Sequence, residues 1–376
     1  PISQLGYSCE YINQNVLTNA KIKNGKIFFG NMSYKLLVLA SLKSIHPKTA
    51  VAIQKYVASG GKVVVIDELP NKSLHFKDAD ANDTQVKETM EKLLTDNPKS
   101  FIQIENPKSL ENLFSWTEKF LQESGINPDV IISNPTKKVY QIHQNTRDKN
   151  IYFFTNIHKF ETTKFDAEFP VDGKYPYVWN PETGERKPFY FAENSNELHI
   201  SLNPLESLLI VFEGEKPTQK VTKNITKVQK SKAITGTWNV SGKRVDGKNF
   251  TWQMKDLIDF SHSEDKTKST FGGELSYQII LNNDGNYTHL DLGNTNGGVT
   301  ELYINNKKIG KRWYGKAVYP IANYLQEGEN KIEVKYITVL ANYCKSLDNL
   351  LTNRWTRVYK DLAPAGLEGP VELLSY

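Results

Sequence analysis

FGGELSYQIILNNDGNYTHLDLGNTNGGVTELYINNKKIGKRWYGKAVYPIANYLQEGENKIEV, residues 271–334, is the stretch whose reading decides the fold of the C-terminal part of the chain. Short alternating runs, Leu275-Tyr277-Ile279, His289-Asp291, Glu301-Tyr303-Asn305 and Ile332-Val334, are separated by turn clusters such as Asn283-Asp284-Gly285 and Asn294-Thr295-Asn296-Gly297-Gly298. Alternation with period two sends one set of side chains to a core and the other to water. Regularly punctuated runs of this kind therefore predict an antiparallel β-sandwich. Asn305-Asn306 supplies the left-handed turn before Lys307, because Asn tolerates that conformation. Ile234 to Val240 (ITGTWNV) opens this region, which runs to Tyr376.

At the other end of the chain the pattern is different. Residues 34–40 (YKLLVLA) and 62–66 (KVVVI) are continuous apolar runs, and between them residues 49–59 carry Ala50, Ile53 and Val57 at helical spacing. Pro47 suits the helix start and Gly60-Gly61 a left-handed stop. Unalternated strands joined by a helix predict a parallel βαβ unit covered on both faces. A helix at 84–94, a strand at 101–104 and an amphipathic helix at 110–123 extend it. Residues 1–126 thus read as a Rossmann-like or flavodoxin-like α/β domain. Asp67-Glu68 follow its second strand, at the edge where open parallel sheets take ligands, and are read as a solvated strand end.

From residue 127 to 214 the chain turns to strands, at 130–133, 139–145, 149–156, 162–169, 175–180, 187–191, 197–202 and 208–212. They form a small antiparallel β-domain. Tyr152, Phe154, Tyr175, Tyr177 and Trp179 are read as core rather than as sugar-stacking rings. Tyr177 and Trp179 are taken to face opposite ways. Residues 215–233 are lysine-rich and weakly periodic, a linker in which Val221 and Ile225 give partial order.

The 376 residues, net charge +5 and 39% hydrophobic content suit two or three soluble domains. No apolar run reaches the roughly 18 residues of a membrane span. Basic residues are not interleaved with aromatics, which argues against nucleic acid as a partner. Cys9 and Cys344 form no disulfide framework, and the seven His lack metal-ligand spacing, so no cofactor or metal is expected. There is no GxSxG, GxGxxG or GxxxxGK[ST], and Cys9 lacks a nucleophile elbow. A chain that starts at Pro1 with no leader reads as an excised or processed fragment.

FGGELSY, LDLG, VTELYINNKKIG, YPIANYLQEGENKIEV and the terminal PAGLEGPVEL, in that order, resemble the galactose-binding-like jelly-roll domain attached to large glycoside hydrolases. Phe271-Gly272-Gly273 stands where that pattern has Phe-Ser-Gly. GGKVVVIDELP resembles a strand of a glutamine-amidotransferase-like module, and HQNTRDKNIYFFTN, YVWNPETGERKPF and LNPLESLLIVFE resemble the β-domain after the catalytic barrel. Along its whole length the chain is similar to the C-terminal part of the α-L-rhamnosidase family, glycoside hydrolase family 106. That resemblance implies a bacterial, periplasmic or secreted enzyme hydrolysing glycosidic bonds of oligo- or polysaccharide, with its catalytic acids on an upstream barrel of the same polypeptide. It leaves calcium in the terminal sandwich open.

Sugar sites combine an aromatic platform with a few fixed polar groups. The candidates here are Arg312, Trp313 and Tyr314, together with Asn342, Asn353, Arg354 and Trp355 on an irregular segment before the end. No catalytic residue is expected among these positions, since nothing repeats strand and helix eightfold. Asp256, Asp259, Glu274, Asp291 and Glu301 are assigned to solvent and turns. The competing expectation is an autonomous carbohydrate-binding or adhesion protein. A small-molecule enzyme using Asp67 and Glu68 is a weaker third.

Overall fold

The computed structural model describes residues 1–190, 196–218, 228–347, 349–356 and 361–376. The chain divides into two compact units, Pro1–Thr146 with Phe165–Asp172, and Arg147–Lys164 with Gly173–Tyr376.

The first unit is built on three parallel strands, Leu36–Ala40, Lys62–Ile66 and Phe101–Ile104, side by side in chain order. Burial explains their composition. Val63 and Val65 pack with Leu37, Leu39, Ile53, Tyr56, Val86 and Met90, whereas Val64 packs with Phe120 and Leu121. Helices Pro47–Ala58 and Ala79–Asp96 thus cover one face and Leu113–Glu123 the other. Both faces are dry, so every position of KVVVI profits from being apolar. Gly60 (φ 93°) ends the first helix as read from the sequence. A Cβ on Gly61 would lie 2.3 Å from the Tyr56 ring. The periodicity did not disclose an antiparallel meander, Lys21–Lys23, Lys26–Phe29 and Met32–Tyr34, whose strands are only three or four residues long.

In the second unit four antiparallel strands run in the order Arg186–Pro188, Tyr175–Trp179, Ser207–Glu213, Asn150–Asn156. Tyr152, Phe154 and Tyr177 are buried, in keeping with a core role. Tyr177 and Trp179 share a face, contrary to the reading above, because residues two apart on a strand point the same way. Arg186 lies over the Tyr177 ring and Lys149 over that of Trp179, both beside the Glu213 carboxylate. Residue 191 of the expected strand 187–191 lies outside the described residues.

The remainder of this unit has a six-stranded antiparallel sheet, in the order Asn249–Met254, Trp238–Arg244, Gly273–Asn283, Gly328–Ile337, Val299–Ile304, Lys307–Arg312. A four-stranded sheet runs Lys230–Ala233, Glu372–Ser375, His289–Asp291, Val318–Pro320. Both contribute to one core containing Trp238, Phe271, Tyr277, Leu290, Tyr319, Val334 and Leu373. Asn305 and Asn306 both take positive φ, 50° and 66°, so the hairpin turn is as read. The linker reading needs correction at its end, where Lys230–Ala233 is a strand paired with Glu372–Ser375. Val221 and Ile225 lie outside the described residues. Two buried tyrosines tie the terminal segment to this core and a third joins its two sheets. Tyr277 Oη accepts from Leu367 N (3.2 Å), Tyr336 Oη accepts from Gly366 N (3.1 Å), and Tyr319 Oη donates to Thr300 O (2.9 Å).

Candidate functional site

The edge strand Lys307–Arg312 of the six-stranded sheet ends at a loop leading to Val318–Pro320 of the four-stranded sheet. Gly315 (φ 66°) turns that loop, and Trp313 and Tyr314 stand at its start. Trp313 is 59% exposed, which is unusual for so large an apolar ring. Its ring meets Tyr314 edge to face, with centroids 4.8 Å apart at 79°. Its indole Nε1 donates to Glu182 Oε1. Glu182 sits in the turn after Tyr175–Trp179, where Asn180 Oδ1 accepts from its backbone N at 2.9 Å. The ring is therefore oriented by a second part of the same unit while most of its surface faces water.

Tyr314 is half-buried, and burial followed by the charges of Glu182 and Glu206 raises its phenol above the usual range, against the opposing charge of Arg312. Glu206 is itself fixed, accepting from Asn203 N at 2.6 Å. The Arg312 guanidinium lies 5.4 Å from the centre of the Tyr319 ring and donates to Lys311 O. An exposed, oriented indole beside a phenol, a guanidinium and a carboxylate has the make-up that a pyranose needs: a flat apolar cover and directional polar partners.

The other four candidates fall elsewhere. Asn342, Asn353, Arg354 and Trp355 lie on two short helices, Ala341–Ser346 and Leu350–Thr356, and not on an irregular loop. Asn342 is 3% exposed and clamps Ala363 from both sides, its Nδ2 donating to Ala363 O and its Oδ1 accepting from Ala363 N, each at 2.7 Å. That amide is spent on backbone. Asn353 N donates to Asn349 O within its helix. Arg354 and Trp355 are exposed, Trp355 to 77%.

The acidic residues follow the sequence reading in part, with corrections at Asp259 and Asp67. Asp259 is not solvated. It is buried, and its Oδ1 accepts from Ser261 N (2.8 Å) and Ala365 N (2.9 Å), a tie between the 3-10 turn Phe260–His262 and the terminal segment. Asp291 accepts from Gly293 N in a turn, and Glu301 pairs with Lys308 at 2.8 Å. In the first unit, Asp67 is a staple and not a solvated end. It holds a positive φ of 67° while its carboxylate accepts from Asn106 Nδ2 (2.8 Å), Asn106 N (2.9 Å) and Ser41 Oγ (2.8 Å). These bonds, the Asn106 side chain foremost, hold its pKa below the usual carboxylate range. Among the described residues no group of three His, Cys, Asp or Glu is placed to hold a metal ion. No described helix is long and apolar enough to cross a membrane.

Sequence reasoning missed Glu182 and Glu206. Both lie in turn segments whose composition explains them fully as turns, and nothing local marks a partner 131 residues away.

Residues 2–193 match the alpha-L-rhamnosidase family, glycoside hydrolase family 106. A protein of Formosa agariphila named "Putative beta-glucuronidase" is 29% identical over 219 residues, 57% of this chain and 18% of that protein. The solved structure of a rhamnosidase from Novosphingobium sp. PP1Y superimposes on 97% of this chain and 36% of its own length, with a TM-score of 0.67 at 22% identity, a likeness of fold. The chain thus spans about a third of the one relative and under a fifth of the other. Since the family match takes in just over half of its residues, the chain belongs to glycoside hydrolase family 106, the alpha-L-rhamnosidase family.

Proposed function

We propose that these residues are the non-catalytic C-terminal portion of an enzyme that hydrolyses terminal α-L-rhamnosides on oligo- or polysaccharide outside the bacterial cytoplasm. On this reading the catalytic acid and base lie on a barrel in another part of the polypeptide. Hydrolysis of a glycoside takes two carboxylates held on opposite sides of the bond. The acids described above are committed instead to turns, ion pairs and backbone clamps. The observation that carries the reading is the superposition on 97% of this chain but 36% of the rhamnosidase, which leaves most of such an enzyme to other residues.

The finer architecture is part of the proposal: a flavodoxin-like domain at 1–126, an antiparallel β-domain at 127–214, and a galactose-binding-like jelly-roll sandwich at 234–376. The sandwich presents Trp313 and Tyr314 to a sugar, with Arg312 for its hydroxyls, and Glu182 of the antiparallel β-domain orients the Trp313 indole. The test is incubation of the full chain with aryl α-L-rhamnosides and aryl β-glucuronides, followed by calorimetric titration with rhamnose-containing oligosaccharides. Absence of turnover with measurable binding is expected, and robust turnover by these residues alone overturns the reading. The second reading, an autonomous carbohydrate-binding or adhesion protein, is favoured by the exposed Trp313. Specific binding by residues 234–376, with no gain when a catalytic portion is present, would select it.

A further inference from the structure

A feature unrelated to the sugar reading lies in the first unit, at the amino end of the helix Pro47–Ala58. A groove of about 210 Å³ opens there, just past the carboxyl end of the parallel strand Leu36–Ala40. Its inner wall is Leu37, Leu39 and Ile45, each at most 6% exposed, and its rim is Ile12, Leu42 and Leu74, exposed to 37%, 40% and 61%. Thr49, in the first turn of the helix, also lines it. Thr49 is 7% exposed, and its hydroxyl has no hydrogen-bond partner among the described residues. A buried hydroxyl left unpaired is costly, so one that lines a groove is a donor waiting for an acceptor.

The electrostatics fix the sign of that acceptor. The helix start carries partial positive charge. It has no side-chain cap and no acidic residue in its first turn; no Asp, Glu, Lys or Arg lines the groove, whose polar lining beside Thr49 is Asn13, Gln14, Ser44 and His46. Open α/β sheets receive ligands at this edge. A groove of this size admits a small molecule such as a carboxylate with a short aliphatic tail. A phosphate dianion would be too costly to desolvate beside Leu37, Leu39 and Ile45, where no cationic side chain meets it.

We propose that this groove binds a small aliphatic monocarboxylate, its carboxylate at Thr49 Oγ1 and the helix start, its tail running outward between Leu42 and Leu74.

The experiment titrates the full chain with hexanoate, hexanol and acetate by calorimetry, in parallel with thermal melts. Hexanoate is expected to bind and raise the melting temperature, with hexanol and acetate at least fivefold weaker, since each lacks one half of the contact. Thr49→Val keeps the shape and removes the hydroxyl. It should weaken hexanoate at least fivefold while the ligand-free melt holds or rises. Leu42→Trp, on the exposed rim, tests the apolar half separately and should block the groove. No hexanoate binding, hexanol binding as tightly, or either variant binding hexanoate unchanged would each overturn the assignment.

Discussion

Two tryptophans of the second unit, Trp179 and Trp313, each donate the indole N–H to a glutamate, and the two pairs do opposite things. Trp179 gives its hydrogen bond to Glu213 at 2.9 Å, and that carboxylate is closed in by Arg186 and Lys149. Arg186 also reaches Glu215 at 2.6 Å, and the Tyr177 hydroxyl donates to the Glu215 carbonyl at 3.0 Å. Every partner in that group is used, and the indole is covered by a lysine. Trp313 gives its N–H to Glu182, meets the Tyr314 ring edge to face, and leaves most of its surface to water. One pair builds a sheet, and the other aims a ring. The number of partners around the carboxylate, and not the Trp–Glu bond, separates scaffold from a surface open to ligand.

The sharpest way to break this contrast is Arg186→Ala. It leaves the Glu213 carboxylate, whose side chain is 8% exposed, without its main cation. Removing one partner of a buried carboxylate destabilises a fold, and with Arg186 over a third exposed and Lys149 remaining a clearly lowered urea midpoint is expected. A urea melt of the full chain measures it, and a midpoint at the wild-type value would show that the group is not structural. Trp313→Ala should reverse the pattern: a melt within about 0.5 kcal/mol of wild type, with affinity for a rhamnose-containing oligosaccharide down about tenfold, ~1.4 kcal/mol. Unchanged affinity removes Trp313 from the site.

Glu182→Ala probes orientation by itself. Freeing one large side chain costs about 0.5–1.5 kcal/mol in binding, so a loss of threefold to tenfold is expected. Glu182→Gln keeps an acceptor oxygen and should bind within about twofold of wild type. Equal affinities for the two variants would mean that the bond does not aim the ring.

The smallest effect comes from a partly shielded pair at the surface. Asp246 is held by Arg244, through Nε at 3.0 Å and Nη2 at 2.7 Å, and that bond lowers its pKa from 3.8 to about 2. A depressed carboxyl stabilises the fold above its unfolded pKa and loses that contribution as pH falls through the folded one. The small melting difference between wild type and Asp246→Asn should therefore persist down to pH 3.8 and vanish near pH 2. A difference independent of pH would show that charge plays no part.

Much of this molecule was legible before the coordinates. KVVVI is a strand to the residue, 62–66, because a run buried on both faces leaves no ambiguity of period. The helix read at 49–59 is Pro47–Ala58, bounded by Pro47 and Gly60 as expected. The segment around Asn342 was misread as a loop. Its two helices, six and seven residues long, are too short to display a helical repeat. Arg312, Trp313 and Tyr314 stand together because they are adjacent in the chain, whereas the Asn342 amide is turned to Ala363, a pairing that no local pattern marks.

The sequence by itself determined the buried strand KVVVI and the helix before it, the turns at Gly60 and Asn305-Asn306, and the family, since periodicity, φ preference and motif order are local or ordered along the chain. Only the tertiary structure decided which side chains are spent and which remain open. Asp67, Asp259 and Asn342 read as available polar groups, yet each is saturated by backbone or side-chain partners brought from far along the chain. Hydrogen-bond satisfaction in a folded protein is a matter of distance in space, and one chain read in order carries no record of it.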